Sequence, residues 1–424
     1  MKTLSPHSNR LLQSKSYPWI VITLCAFFLF YKYVLQVSPS VITTELMRRF
    51  HLDGAGLGNL AATFFYTYLI MQLFVGPLLD RFGARFLTAL AILCCAIGTI
   101  WFSEANTLFQ AIVARSLIGA GAAFATVSYL KIASMWFKPK QFAFVSGLLA
   151  SAAMVGSMCG QLPFALMVVH FGWRESIFYS GVFGVLLAIL FYVAVRENRG
   201  TSAELNPDHH ALNFKDILSV LKFTPNWYLM FYSGLAFSPL AVFAGLWGDS
   251  FLQTAFHLSK PDAAMLTSMS FLGLGLGAPF LGLLSDRLGN RFIVMMGGTT
   301  LSMIALLFAL YFPTQSHVIE GTALFLFGFG TGGFMLVFSV GREVNPASMT
   351  ATVSAFINTG DALIGTFSEP LLGKMLDVFG HGKMQHGVRY FSVHDYHQAL
   401  ILLPIYLLIA MGCLVLLRKT IKSA

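Results

Sequence analysis

The sequence predicts an all-α membrane protein with twelve transmembrane helices in two six-helix bundles. Three observations carry this prediction. The 424 residues are 56% hydrophobic and only 11% charged, less than half the ~25% charge of ordinary soluble domains. Apolar runs of span length recur along the whole chain, where ~20 residues suffice to cross a bilayer core. A segment rich in glycine and charge also occurs twice, 206 residues apart. Together these exclude a soluble domain, a disordered chain and a protein held by a single anchor.

The polar segment 1–17 carries Lys2, Arg10 and Lys15 and precedes the first apolar run. No small-x-small cleavage site follows it, so the first run reads as an uncleaved span. The runs lie at 18–37, 57–79, 86–103, 107–130, 142–168, 175–195, 226–248, 263–284, 292–311, 318–340, 350–372 and 398–417. Between the sixth and seventh, the polar stretch from Arg196 to Pro225 divides the chain into a first bundle (1–195), a linker (196–225) and a second bundle (226–424). Segments on the side of the termini hold more than twice as many Lys and Arg as those on the other side. That asymmetry predicts both termini in the cytoplasm. The net charge of +9 is therefore assigned to orientation, and no base-reading or phosphate motif points to nucleic acid. Cys25, Cys94, Cys95, Cys159 and Cys413 all lie in apolar runs without metal-ligand spacing, so they read as packing residues, with no metal and no cofactor expected.

The repeat reads Gly76-Pro-Leu-Leu-Asp80-Arg81-Phe-Gly83-Ala-Arg85 after span two and Gly282-Leu-Leu-Ser-Asp286-Arg287-Leu-Gly289-Asn-Arg291 after span eight. Two copies in register imply halves of similar fold, related about an axis along the membrane normal. The glycines permit a tight turn, and the aspartate can meet a helix N-terminus or a basic residue across the seam. These residues resemble the GxLxDRxGxR motif of the major facilitator superfamily over the whole chain. The resemblance implies that two bundles rock about a central site and that Gly76, Asp80, Arg81, Gly83, Arg85, Gly282, Asp286, Arg287, Gly289 and Arg291 form a gating motif stabilising the outward-open state. Arg115-Ser-Leu-Ile-Gly119-Ala-Gly121 is similar to the family's fourth-span RxxxGxG pattern. Gly147, Gly156 and Gly160 are spaced like the antiporter signature of span five, but Gln161 stands where that signature has proline. Gly328-Phe-Gly330-Thr-Gly-Gly333 matches GxGxxG by letter but lies inside an apolar run with no preceding strand, so it reads as helix packing.

Ionisable groups inside spans are costly and mark functional sites by default. Lys32 and Arg115 come to heights of ~21 Å and ~17 Å from the terminal-side edge, at ~1.5 Å per residue in a ~30 Å core, so the two cations can bind one anion. Asp361 comes to ~16 Å and Glu369 to ~28 Å on the same scale, near the far mouth. Positions 206 residues beyond the cations are Ser238 and Gly321, so the positive pair belongs to the first half alone.

The pair resembles the anion:cation symporter branch, in which a basic residue of span one and an arginine of span four engage a substrate carboxylate. That branch tends to carry acidic coupling residues on spans one and four. Here span one offers Tyr31 and Tyr33 instead, which leaves Asp361 or Glu369 as the proton carrier. The stretch from Tyr31 to Pro39, with Gln36, Lys131 to Phe137 and Gly172-Trp173-Arg174, is similar to bacterial carriers linked to uptake of polycarboxylate siderophores. Tyr66, Tyr68, Gln72, Gln161 and Asn358 are polar groups on apolar runs, readable either as cavity contacts or as packing hydrogen bonds, and Tyr66, Gln161 and Asn358 complete the substrate-site set. His381, His386, His394 and His397 share one loop whose loose spacing reads as a solvated segment. The reading that results is a proton-coupled importer of a small organic anion, acting as a monomer in the lipid bilayer. The alternative is an exporter on the same fold. No HExxH, GxSxG or membrane-face carboxylate pair supports an enzyme.

Overall fold

The computed structural model describes residues 16–137, 139–196, 219–312, 316–346, 349–385 and 388–423. The N-terminal segment 1–15, most of the expected linker (197–218), His386 and the side chain of Asp80 lie outside the described residues. The main helical segments are α1 (Tyr17–Phe50), α2 (Gly54–Phe82), α3 (Ala84–Glu104), α4 (Leu108–Trp136), α5 (Pro139–Cys159 continued by Leu162–Phe171) and α6 (Trp173–Ala194). After the linker come α7 (Thr224–Phe256), α8 (Lys260–Leu288), α9 (Arg291–Tyr311), α10 (His317–Val344), α11 (Thr350–Phe379) and α12 (Val393–Ile421). A two-residue hairpin, β1 (Met384–Gln385) with β2 (Val388–Arg389), precedes α12.

Eleven of these segments are long and apolar enough to cross a membrane. The twelfth, α11, is a 30-residue helix that carries Asn358, Asp361 and Glu369 on its way across. Helices α1 and α7 run well past their apolar runs, because their far ends are amphipathic and carry Glu45, Arg48 and Asp249. Each also breaks its regular pitch near that end. Pro39 removes a backbone donor in the 3-10 turn Ser38–Ile42 of α1, and α7 holds a π-helical turn at Phe243–Trp247.

The helix starts are written into the sequence as side-chain caps. Asp53 accepts from the Gly56 amide at 2.7 Å, Thr107 and Gln110 form a reciprocal box, and Asn290 accepts from the Ile293 amide. Stops use left-handed or otherwise positive φ at Gly83, Gly172 and Gly289. Large apolar side chains such as Leu73, Leu186 and Phe367 remain exposed on the perimeter, the surface that meets lipid.

The packing repeats with a shift of six helices. Helix α1 packs on α5, α2 on α4, α3 on α4 and α3 on α6, while α7 packs on α11, α8 on α10, α9 on α10 and α9 on α12. Between the bundles α2 meets α11 and α5 meets α8, which is one pairing seen twice. Small residues allow the close approaches. The backbone of Gly328 abuts Ser270 of α8 and that of Gly330 abuts Gly298 of α9, so the GxGxxG letters of α10 serve packing.

Between described residues, the side-chain hydrogen bonds and ion pairs that join the bundles lie at the face opposite the termini. Asp377 of α11 accepts from the amides of Gly54 and Ala55, both at 2.8 Å, and so caps the N-terminus of α2 from the other bundle. Lys260 pairs with Glu45, Thr43 bonds Ser250 at 2.5 Å, Ser40 bonds Asp249 at 3.0 Å, and Gln161 donates to the Ala244 carbonyl at 2.6 Å. The seam is therefore sealed at that end.

Candidate functional site

Below the seal, Phe64 of α2 gathers the two cations of the first bundle. Lys32 Nζ lies 6.0 Å and the Arg115 guanidinium carbon 5.5 Å from its ring centroid. Their chemistry differs. Arg115 spends Nη1 on the Leu35 carbonyl at 3.1 Å and Nη2 on the Ala61 carbonyl at 3.3 Å, which ties α4 to α1 and α2. Its Nε has no hydrogen-bond partner, and the residue borders a cavity of about 10 Å³ lined also by Leu35, Ser38, Thr99 and Ser180, room for one water. Lys32 makes no hydrogen bond with a described residue. Its ammonium sits 3.6 Å over the Tyr33 ring and 5.3 Å from the Tyr68 ring, with none of its three donors spent on a described residue.

The second bundle supplies acids. Glu369 is buried, its Oε2 unpartnered, and it interacts electrostatically with Arg115 across the seam. It therefore lies under the seal, beside the backbone of Gly58, and not at an open mouth as its height on the helix predicts. The seal, which joins α2 to α11, is what closes over it. Asp361 accepts a hydrogen bond of 2.5 Å from Ser233 Oγ and acts electrostatically on Tyr33 of α1. Among the described residues no ion pair joins Lys32, Arg115, Asp361 and Glu369; across the seam Glu369 acts on Arg115 and Asp361 on Tyr33, the neighbour of Lys32.

The remaining expected site residues divide. Tyr33 stacks under Lys32, Gln36 carries a buried and unpartnered Oε1, and Tyr66 bonds Asn59 at 3.4 Å while facing Glu369 electrostatically. Asn358 is exposed on α11. Two residues belong elsewhere. Tyr31 is a core residue of the first bundle: its hydroxyl reaches Thr99 at 3.4 Å, its ring packs edge-on to Phe183, and the missing side chain of Gly184 makes room for it. Gln161 is part of the seal, donating to Ser40 Oγ at 3.0 Å and to the Ala244 carbonyl.

The repeated motif folds as two unlike clamps. Arg85 donates through Nε and Nη2 to the Tyr192 carbonyl at 3.0 and 2.7 Å, at the last turn of α6. Arg291 instead pairs with Asp286 at 3.3 Å and with Glu343 of α10 at 2.6 Å. Arg81 lies over Phe82, and a Cβ added at Gly76 or Gly282 would meet open space among the described residues. Gly83 and Gly289 make the turns.

Three buried acids among the described residues lie outside the sequence-based set, of which Asp395 serves the capping box of α12 with Ser392. Asp249 sits one residue beyond the seventh apolar run, and Glu320 sits at the start of the tenth. Glu320 is 1% exposed and neither of its carboxyl oxygens is hydrogen-bonded. An acid inside an apolar run was a readable signal for Glu320, while Asp249 fell just past a run boundary. Among the described residues no group of His, Cys, Asp and Glu is arranged to hold a metal ion, and the five cysteines are free.

A family model described as Major Facilitator Superfamily matches residues 19–369. The probable L-galactonate transporter of Escherichia coli (strain K12) is 25% identical over 369 residues, covering 81% of this chain and 80% of that protein. The uncharacterized transporter YybO of Bacillus subtilis (strain 168) is 24% identical over 389 residues, covering 85% and 88%. Among solved structures, a bacterial homolog of the human lysosomal transporter Spinster, in an inward-facing and occupied conformation, matches with a TM-score of 0.80 at 18% identity over 96% of this chain and 98% of that one. With twelve helices in two repeated bundles, a doubled loop motif and a family match over most of its length, the chain belongs to the Major Facilitator Superfamily of membrane transporters and is similar to its anion:cation symporter branch.

Proposed function

We propose that this protein imports a small carboxylate-bearing anion together with protons, by alternating access. The observation that carries the reading is Lys32, an intramembrane ammonium with no hydrogen bond to a described residue, held over Tyr33 beside Arg115 on the shared Phe64 ring. Such a group binds an anion by charge-assisted hydrogen bonds, while Arg115 supplies field and fixes the wall. Tyr33, Gln36, Tyr66 and Asn358 offer further polar contacts around this pair, and polycarboxylate siderophores are one substrate class suited to a site with two cations.

Energetics favour coupling. An inside-negative potential opposes each entering negative charge by ~2.3 kcal/mol per 100 mV, so one proton neutralises a monoanion and a second lets the potential drive it. Asp361 and Glu369 face the cations from the other bundle and are the proton carriers. Substrate binding and protonation then both lower the cost of desolvating the charged groups that line the cleft, which favours bringing the bundles together. With both termini in the cytoplasm of a bacterial inner membrane, the sealed face is the outer one and the described state opens inward. The linker 196–225 joins the two bundles, and one chain suffices as the working unit. Export on the same fold is the second reading. The α5 glycines behind it, Gly156 and Gly160, pack against the backbone of Phe30 and Val34 in α1, so helix contact accounts for them.

The test is uptake of labelled mono-, di- and polycarboxylates, including a citrate-type siderophore, into proteoliposomes with and without an inward proton gradient. Accumulation that needs the gradient and is lost in Lys32→Ala supports the reading. Gradient-driven efflux, or uptake of neutral solutes alone, overturns it.

A further inference from the structure

The sealed face is held by a buried carboxyl that the anion site does not use. Asp249 follows the π-helical turn of α7 and has no exposed surface. Its Oδ1 lies 2.5 Å from Thr267 Oγ1 of α8, and its Oδ2 lies 3.0 Å from Ser40 Oγ in the 3-10 turn of α1, across the bundle seam. Gln161 of α5 ties the same point from the side, donating to Ser40 Oγ and to the Ala244 carbonyl within the π turn. The irregular turns of α1 and α7 thus meet over one carboxyl.

The proton inventory of this cluster is short by design of its parts. Ser40 and Thr267 own one hydroxyl proton each, and each has a second acceptor in its own chain segment, the Val37 carbonyl at 2.9 Å and the Ala263 carbonyl at 3.0 Å. With Asp249 ionised, both hydroxyls must turn to it. With Asp249 protonated, the carboxyl donates to one hydroxyl, which returns its own proton to its carbonyl, and no heavy atom has to move. No ion pair joins Asp249 to a described residue, and the one described cation acting on it, Lys260, does so electrostatically from a pair of its own. Lys260 of α8 is paired with Glu45 of α1, α5 contributes the neutral Gln161, and α12 contributes Tyr396 and His397, whose rings pack on Phe251. Burying an ionised carboxylate with no ion-pair partner carries a desolvation cost that the neutral carboxyl avoids.

We propose that Asp249 is a second proton-binding site, placed at the gate: a proton on its carboxyl latches the face opposite the termini shut, and losing that proton releases it. The inference rests on alternating access but goes beyond the coupling assigned to Asp361 and Glu369, because this proton returns to the side it came from and sets which face is open without being transported. Opening the seam separates Ser40 from Asp249 and hands the carboxyl to water, where its charge is solvated.

Hydrogen–deuterium exchange of the full-length protein in lipid nanodiscs tests this, read on peptides covering 38–58 and 243–256 at pH 5.5 and pH 8 and corrected for intrinsic exchange rates. In the parent protein these peptides should exchange about fivefold or more slowly at the lower pH, as expected when local opening is suppressed. Asp249→Asn, which stays neutral and can still bond both hydroxyls, should be protected at both values. Thr267→Val, which keeps Asp249 but removes one hydroxyl, should retain the pH dependence with weaker protection throughout, and it guards against misfolding of the first variant. No pH dependence in the parent, or the same dependence in Asp249→Asn, overturns the inference, the latter moving the switch to His397. Asp361→Asn and Glu369→Gln should leave the pH dependence of gate protection in place while losing gradient-driven uptake. Failure of the gate and failure of the coupling site are therefore read on separate signals.

Discussion

The two bundles repeat one scaffold and carry opposite charges at the cleft. The first presents Lys32 and Arg115, and the second presents Asp361 and Glu369. At the repeat offset from the cations stand Ser238, buried with an unpartnered hydroxyl, and Gly321, which lies against Leu266 and Met269. What is repeated holds the fold: the same helix pairings and the same glycine turns at Gly83 and Gly289. What is not repeated is the charge. Pseudo-symmetry supplies two equivalent ends, and under the proposed function the charge asymmetry is what selects an anion.

The largest effect should come from removing the unspent cation. Lys32→Ala should lower anion uptake about 10- to 100-fold, the equivalent of losing one charge-assisted hydrogen bond. Arg115→Lys should also weaken uptake but, unlike Lys32→Ala, should lower the melting temperature, since one ammonium cannot reach both the Leu35 and Ala61 carbonyls. If Arg115→Lys melts like the parent, the division of labour between the two cations is wrong.

On the acidic side, Asp361→Asn and Glu369→Gln should abolish accumulation driven by a proton gradient while preserving counterflow of labelled against unlabelled substrate. Whichever of the two keeps gradient-driven accumulation is not the carrier. External pH then separates the variants: parent uptake should rise as the outside is acidified, and uptake by the carrier variant should be flat.

The glycine turns sharpen the repeat itself. Gly83 has φ 86° and ψ 146°, a region open essentially to glycine alone, whereas Gly289 has φ 61° and ψ 18°, ordinary left-handed helix. Gly83→Ala should cost about 2–3 kcal/mol and Gly289→Ala about 1 kcal/mol, with Gly289→Asn nearly neutral. Equal melting shifts would mean that the two turns are mechanically alike after all. The smallest effect is expected at Asp377→Asn, which removes the charge from the cap on α2 and should raise exchange of the Gly54 and Ala55 amides at a cost of about 1 kcal/mol.

The fold was legible because span length and the doubled motif survive in any alphabet of apolar residues. The site was only partly so. Lys32 and Arg115 stand out as charges in apolar runs, but nothing in the sequence says that Arg115 has committed two of its nitrogens to backbone carbonyls. Tyr31 was expected beside Lys32 and lies in the core, because a helix apolar on every face carries no signal separating cleft, core and lipid. Gln161 was assigned to substrate for the same reason and instead closes the seam. Asp249 escaped because the end of an apolar run was taken as the end of the span, whereas α7 continues to Phe256. Height along a single helix put Glu369 near the far mouth but could not reveal that α2, through Gly58, packs against α11 there and buries it.

At Gly54 and Gly373 the two bundles touch main chain to main chain, each glycine filling the space where the other's Cβ would lie. A contact of that kind has no rotamers to order and no charge to screen, so it acts as a mechanical end-stop beside the titratable latch. It fixes the stroke of the rocking motion by atomic radius. Substituting Gly373 by Ala and then by Ser would shorten that stroke in graded steps, making the amplitude of closure adjustable independently of the ligand chemistry below it.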